Sequence, residues 1–188
     1  MNKKKIWSLN IPIKSKHSDK EINKFLSVCK DKLGLVPNII KTNTIDKKKF
    51  NAFNIFYNRL MQDDNFLSKI EKEMIAVVVS SQNRCLYCCI SHGYNLSKLL
   101  KSSSKAKKVL INYEVADINN KHKSMLNFVQ KLTVSSHKVN DEDRNKLRKA
   151  KFSEYHILEI IEVAAFFNMT NRIASGTNMI PNEEYYRL

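Results

Sequence analysis

The stretch Glu73-Met-Ile-Ala-Val-Val-Val-Ser-Ser-Gln-Asn-Arg-Cys85-Leu-Tyr-Cys88-Cys-Ile-Ser-His92 holds both an apolar helical run and a cluster of reactive side chains. Residues at i, i+3 and i+7 share one face of a helix, so Cys85, Cys88 and His92 are expected to project together. Two thiols one turn apart can close into a disulfide with modest adjustment. The polar residues Ser80-Ser81-Gln82-Asn83 are rich in capping types, so one helix is expected to end there and the next to begin near Arg84. That break decides the chemistry. Glu73 lies twelve residues before Cys85, roughly 18 Å along a straight helix, and reaches the thiols only if the chain turns back.

Working outward, periodic apolar positions predict helices over Lys48–Met61 and Phe66–Ser80 before the break, and over Lys105–Asn112, Lys121–Val134, Asp141–Lys149 and Glu154–Ala174 after the cysteine-bearing one. Upstream, Ser18 and Glu21 fit a capping box opening a helix to about Lys32, with Ile22, Phe25, Leu26 and Cys29 on one stripe. Gly34 fits a helix C-cap, and Pro37 disfavours a helical Val36, so an extended turn is expected there. The chain of 188 residues has 43% hydrophobic residues but only 3 Gly and 3 Pro. That balance favours one all-α domain, a helical bundle over residues 1–188 with 1–17 as an N-terminal extension. The connection around Glu114–Asn120 is the one candidate boundary within it.

The formal net charge of +15 points towards an anionic partner when taken alone. Most of the excess is Lys, however, scattered in short groups such as Lys47–Lys49 and Lys105–Lys108, which reads as a solvated surface. Neither a nucleic-acid partner nor a membrane is expected. The basic N-terminus is interrupted by Asn10 and Lys14, and no uncharged apolar run approaches the roughly 20 residues of a membrane span. A cytoplasmic location follows as an expectation, and in a reducing cytosol cysteines are more often catalytic or metal-binding than disulfide-bonded.

A helix N-terminus stabilises a thiolate, which favours Cys85 as the more activated sulfur. An unperturbed thiol, with a pKa of about 8.5, is mostly protonated in the cytosol, so a nearby base assists, and Glu73 and His92 are the candidates. Beside the apolar run Ile75 to Val79, Glu73 is expected to be partly buried, with raised proton affinity. Simpler readings exist. Cys85, Cys88, Cys89 and His92 are also zinc or iron–sulfur ligand types, although no second CxxC or Cys/His pair completes such a site. His92 alone fits a core histidine, Glu73 alone a surface partner for Lys69, and Cys89 a small core residue.

The pattern Glu-x11-Cys-x-x-Cys-x-x-x-His resembles the alkylhydroperoxidase D-like group of the carboxymuconolactone decarboxylase superfamily, and more closely its peroxidase-related branch. The likeness extends to Leu33-Gly34-Leu35-Val36-Pro37-Asn38, Asn83-Arg-Cys-Leu-Tyr-Cys, Phe152-Ser153 and Phe166-Phe-Asn-Met-Thr-Asn171-Arg172-Ile-Ala174. It implies an all-helical homo-oligomer, a trimer or hexamer, that reduces a hydroperoxide with electrons from a thiol or dithiol donor and no bound cofactor or metal. By that resemblance Cys88 attacks the peroxide, Cys85 resolves the product into a disulfide, and Glu73 and His92 relay protons. An alternative reading is a disulfide carrier serving a separate peroxidase. One departure stands out: relatives carry a second His just before the second cysteine, where this chain has Tyr87, whose phenol titrates too high to relay protons near neutrality.

Overall fold

The structure, a computed structural model, describes residues 5–14, 17–61 and 66–186, so parts of the expected N-terminal extension, 1–4 and 15–16, lie outside it. Among the described residues there are α-helices and short 3-10 turns and no strand, as the scarcity of Gly and Pro implied. The helices are α1 (Lys20–Leu33), α2 (Asn38–Asn43), α3 (Lys47–Met61), α4 (Lys69–Gln82), α5 (Leu86–Leu100), α6 (Ser103–Asn112), α7 (Asn120–Val134), α8 (Asp141–Lys149) and α9 (Glu154–Gly176).

Helix α4 is the hub, packing against α5, α6, α7 and α9. Its run Met74–Val79 is buried on every side, which explains why three consecutive valines with modest helix propensity stay helical. Around them close Leu96 of α5, Val109 of α6, Met125, Leu126 and Val129 of α7, and Ile160, Val163 and Phe167 of α9. Ser68 caps α4 in a capping box with Glu71, so the helix begins three residues later than the periodicity alone implied. Glu71 is held down to about 2, above all by its contact with His122, and stays ionised to serve that box.

Other helix starts also differ from the sequence expectation. The cap of α1 is Asp19, whose carboxylate accepts from the Glu21 and Ile22 amides, and not Ser18. Asp19 is additionally paired with Lys47, which favours an ionised cap over a hydroxyl. The turn expected around Val36 and Pro37 is present, and the short helix α2, which the sequence reading did not foresee, begins directly after it at Asn38. Pro37 itself is extended, with φ −54° and ψ 138°, and serves as its N-cap residue. Gly34 does end α1 in the left-handed region, at φ 73°. On the connection at Glu114–Asn120, Ala116 lies in the main core and Ile118 packs against it.

Two segments far apart in the sequence, around Ile6–Ser8 and Thr177–Ile180, meet. Ile180 N–H donates to the Ile6 carbonyl at 3.0 Å and Ser8 N–H to the Thr177 carbonyl at 2.9 Å. Asn182 accepts from the Asn38 amide and donates to the Val36 carbonyl, so the C-terminal segment is clasped onto α2. A second apolar cluster of Ile22, Ile40 and Phe50 ties α1, α2 and α3 together.

Candidate active site

The turn between α4 and α5 is three residues long and stereochemically demanding. Asn83 caps α4, Arg84 adopts a left-handed conformation at φ 50°, and Cys85 is the N-cap residue of α5. A non-glycine residue in that region is strained, so the surrounding contacts must hold it. They do. Arg84 and Cys85 donate their amides to the Ser81 and Ser80 carbonyls at 3.0 Å each, and the Asn83 side chain donates to Asn168 and Asn171 of α9 at 3.0 and 3.1 Å. The consequence is a helical hairpin that folds Glu73 back beside α5.

All four residues expected from the sequence come together. Glu73 is buried, and its Oε2 lies 2.8 Å from His92 Nδ1. Asn95, one turn beyond His92, donates to Glu73 Oε1 at 3.3 Å. The imidazole also meets the edge of Phe167, with ring centroids 4.6 Å apart, which fixes its orientation. Glu73 is thus no surface partner of Lys69.

Cys85 and Cys88 are 1% and 3% exposed, and neither is in a disulfide. The Cys88 amide donates to Cys85 Sγ at 3.4 Å, so the sulfur itself caps α5. Cys85 is lowered to about 6, first by the hydrogen bond from the Cys88 side chain, then by this amide, by the Ser175 side chain and by the field of His92, against the opposing effect of burial. Cys88 moves far the other way, because it donates to Cys85 and is buried beside it, while the Asn171 side chain acts to lower it. The reduced pair therefore rests with the charge on Cys85 and the proton on Cys88. Cys89 is half-buried and pushed up to about 11 by burial, which leaves it a protonated thiol.

Tyr87 fills a structural role. Its hydroxyl accepts from the Ile39 amide at 3.2 Å, and burial drives its titration further upward. Ile39 of α2 and Met179 of the C-terminal segment pack on Cys85, Tyr87, Cys88 and Ala174, so both ends of the chain cover the sulfurs. Among the described residues no three His, Cys, Asp or Glu side chains are grouped as a metal ion would need. No helix among them is long and apolar enough to cross a membrane.

Three contributors were not read from the sequence. Asn95 continues the face that carries Cys88 and His92, a signal that was present in the spacing. Asn171 and Ser175 lie more than eighty residues away on α9, and the one signal for Asn171 was its place in the stretch Phe166–Ala174 that carries the family likeness.

An all-helical fold with two thiols at a helix start and a carboxylate–imidazole pair beside them defines a helical dithiol protein. The sequence profile of the carboxymuconolactone decarboxylase family matches residues 49–129. An uncharacterised peroxidase-related protein from Silicibacter sp. TM1040 is 40% identical, with 100% of this chain and 97% of that one covered and a TM-score of 0.94. A second, described as an alkylhydroperoxidase AhpD core from Ralstonia eutropha JMP134, is 35% identical over 94% of this chain and 96% of that one, with a TM-score of 0.85. The debrominase Bmp8, at 18% identity, 89% coverage of each chain and a TM-score of 0.76, shares the fold. No curated protein matches. The chain belongs to the carboxymuconolactone decarboxylase family, in its alkylhydroperoxidase D-like, peroxidase-related branch.

Proposed function

We propose that this protein is a thiol-dependent hydroperoxide reductase cycling through a Cys85–Cys88 disulfide, in the cytoplasm and as a homo-oligomer. The observation that carries the reading is the juxtaposition of two free cysteines at the start of α5, with the Cys88 amide on Cys85 Sγ at 3.4 Å, and the Glu73–His92 pair at 2.8 Å. Glu73 accepting from Nδ1–H leaves Nε2 as the basic nitrogen of His92.

His92 takes the proton of Cys88, four residues before it on α5, and the Glu73 carboxylate stabilises the imidazolium. The Cys88 thiolate attacks the distal peroxide oxygen. An S–O bond forms, the O–O bond breaks, and the departing alkoxide takes the proton from His92. Cys85, already a thiolate, then attacks the sulfenic sulfur of Cys88. The disulfide forms as hydroxide leaves and is protonated by solvent to water. The pair has given two electrons to the peroxide, and an external thiol or dithiol restores it by exchange.

Tyr87 in place of a second histidine favours one further reading, in which the same pair chiefly reduces the disulfide of a separate peroxidase. In stopped-flow mixing of the reduced protein with cumene hydroperoxide, we expect one peroxide consumed per two thiols lost and a Cys85–Cys88 link by peptide mass. Cys88→Ser abolishes turnover, and a variant as fast as wild type refutes the proposal. Cys85 alkylation is expected to rise as the pH passes about 6 upward, because the thiolate is the reacting form.

A further inference from the structure

Helix α9 faces the thiols with a polar side chain inside an apolar stretch. Asn171 is fully buried among Phe166, Phe167, Thr170 and Ala174, and a buried amide requires partners for both its oxygen and its nitrogen. Its Oδ1 accepts from Asn83 at 3.1 Å, and its Nδ2 donates to Ser80 Oγ at 3.2 Å. The orientation is fixed by a second fact. Ser80 Oγ donates its only proton to the Ala76 carbonyl at 2.6 Å, so it can only accept from Asn171. The group facing it is therefore the NH2, not the oxygen. That leaves one N–H of Asn171 uncommitted, on the face of α9 that one turn later carries Ala174, which packs in one cluster with Cys85 and Cys88, and the Asn171 side chain acts to lower Cys88. One turn further along α9, the Ser175 side chain acts in the same sense on Cys85. Two residues at i and i+4 on α9 thus address two sulfurs at i and i+3 on α5.

We propose that Asn171 is a catalytic residue of this site, its amide locked by Ser80 and Asn83 so that an N–H donor, never an acceptor, meets Cys88 and stabilises negative charge on that sulfur. The proposal rests on the dithiol reading above and deepens it. Deprotonating Cys88 beside an ionised Cys85 sets two negative sulfurs against each other, and a fixed donor at the second one offsets part of that repulsion without any reorganisation. The donor also favours Cys88 over Cys85 as the attacking atom, against the resting distribution of charge.

The test follows alkylation of Cys88 against pH, by peptide mass, in full-length Cys85→Ser protein, where no neighbouring thiolate intervenes. Adding Asn171→Ala should move the Cys88 midpoint up by about 1 pH unit, as loss of a hydrogen bond to a charged group predicts. Asn171→Asp keeps the shape but replaces the donor by an acceptor, and should move it further. Asn168→Ala, which loses contacts to Asn83 and Arg172 but touches neither sulfur, should lower the melting temperature and leave the midpoint in place. An unmoved midpoint in both Asn171 variants overturns the proposal, as does an equal shift in Asn168→Ala. If only one Asn171 variant folds, its midpoint alone decides. The readout requires no peroxide, so a protein inert to hydroperoxides refutes the reading of function while the role of Asn171 at Cys88 is still decided.

Discussion

Lys72 and Glu73 are neighbours on α4, and each helps to form a buried polar pair on a different side of the helix. Lys72 is 0% exposed and lies 3.1 Å from Glu159 Oε1 of α9, while Glu159 Oε2 accepts from the Phe66 and Leu67 amides at 2.9 and 2.7 Å. That carboxylate takes both backbone donors on one oxygen and faces an ammonium with the other. Glu73 instead faces an imidazole, with a single longer amide contact from Asn95. Equal burial therefore yields two outcomes. A carboxylate with a lysine and two backbone amides fastens the segment before α4 to α9, whereas one with a histidine is, on the proposed function, the pair that passes protons.

The largest effect that probes this contrast is on stability. Glu159→Ala removes the carboxylate beside the buried Lys72 ammonium together with the acceptor of the Phe66 and Leu67 amides, and is expected to cost about 3–5 kcal/mol in urea unfolding, with thiol chemistry per folded molecule unchanged. A loss below 1 kcal/mol would mean that the two pairs do not differ as described.

Glu73→Gln should invert the pattern. The amide can still accept from Asn95 but donates to His92 Nδ1, which forces the ring proton onto Nε2 and removes the base. Peroxide-driven thiol oxidation is expected to fall at least about 100-fold, with the melting temperature little changed. An unchanged rate with a collapsed melting temperature would make Glu73 a second structural anchor. The smallest effect is at Tyr87→Phe, which removes the acceptor of the Ile39 amide and should cost about 1 kcal/mol, read as faster hydrogen exchange at Ile39 with the relay intact.

Much of the site was legible because it lies on local periodicity. Cys85, Cys88, His92 and Asn95 follow one face of α5, and the cap-rich segment Ser80–Asn83 announced the return of α4. The tight part of the turn falls later, at Arg84, because neighbouring contacts enforce a conformation that residue type alone disfavours. The resting charge on Cys85 agrees with the helix-terminus argument, while the role of attacking sulfur, carried by family resemblance, depends on the proton reaching His92. Helix α2 escaped notice because six residues are too few for an apolar period, and it is held by Asn182 from the far end of the chain. The cover of Ile39 and Met179 was hidden for the same reason: it joins residues about 140 apart, and only the packed chain brings them together.

The capping sulfur of α5 has a consequence for the whole cycle. In the reduced protein the Cys88 amide leans on an ionised Cys85, but once the two sulfurs bond to each other that anion is gone and the amide loses most of its acceptor. On the proposed Cys85–Cys88 cycle, each turnover would loosen and re-tighten the first winding of one helix. The backbone at Leu86–Cys88 becomes a built-in gauge of oxidation, readable from its own amide protons without any label on sulfur.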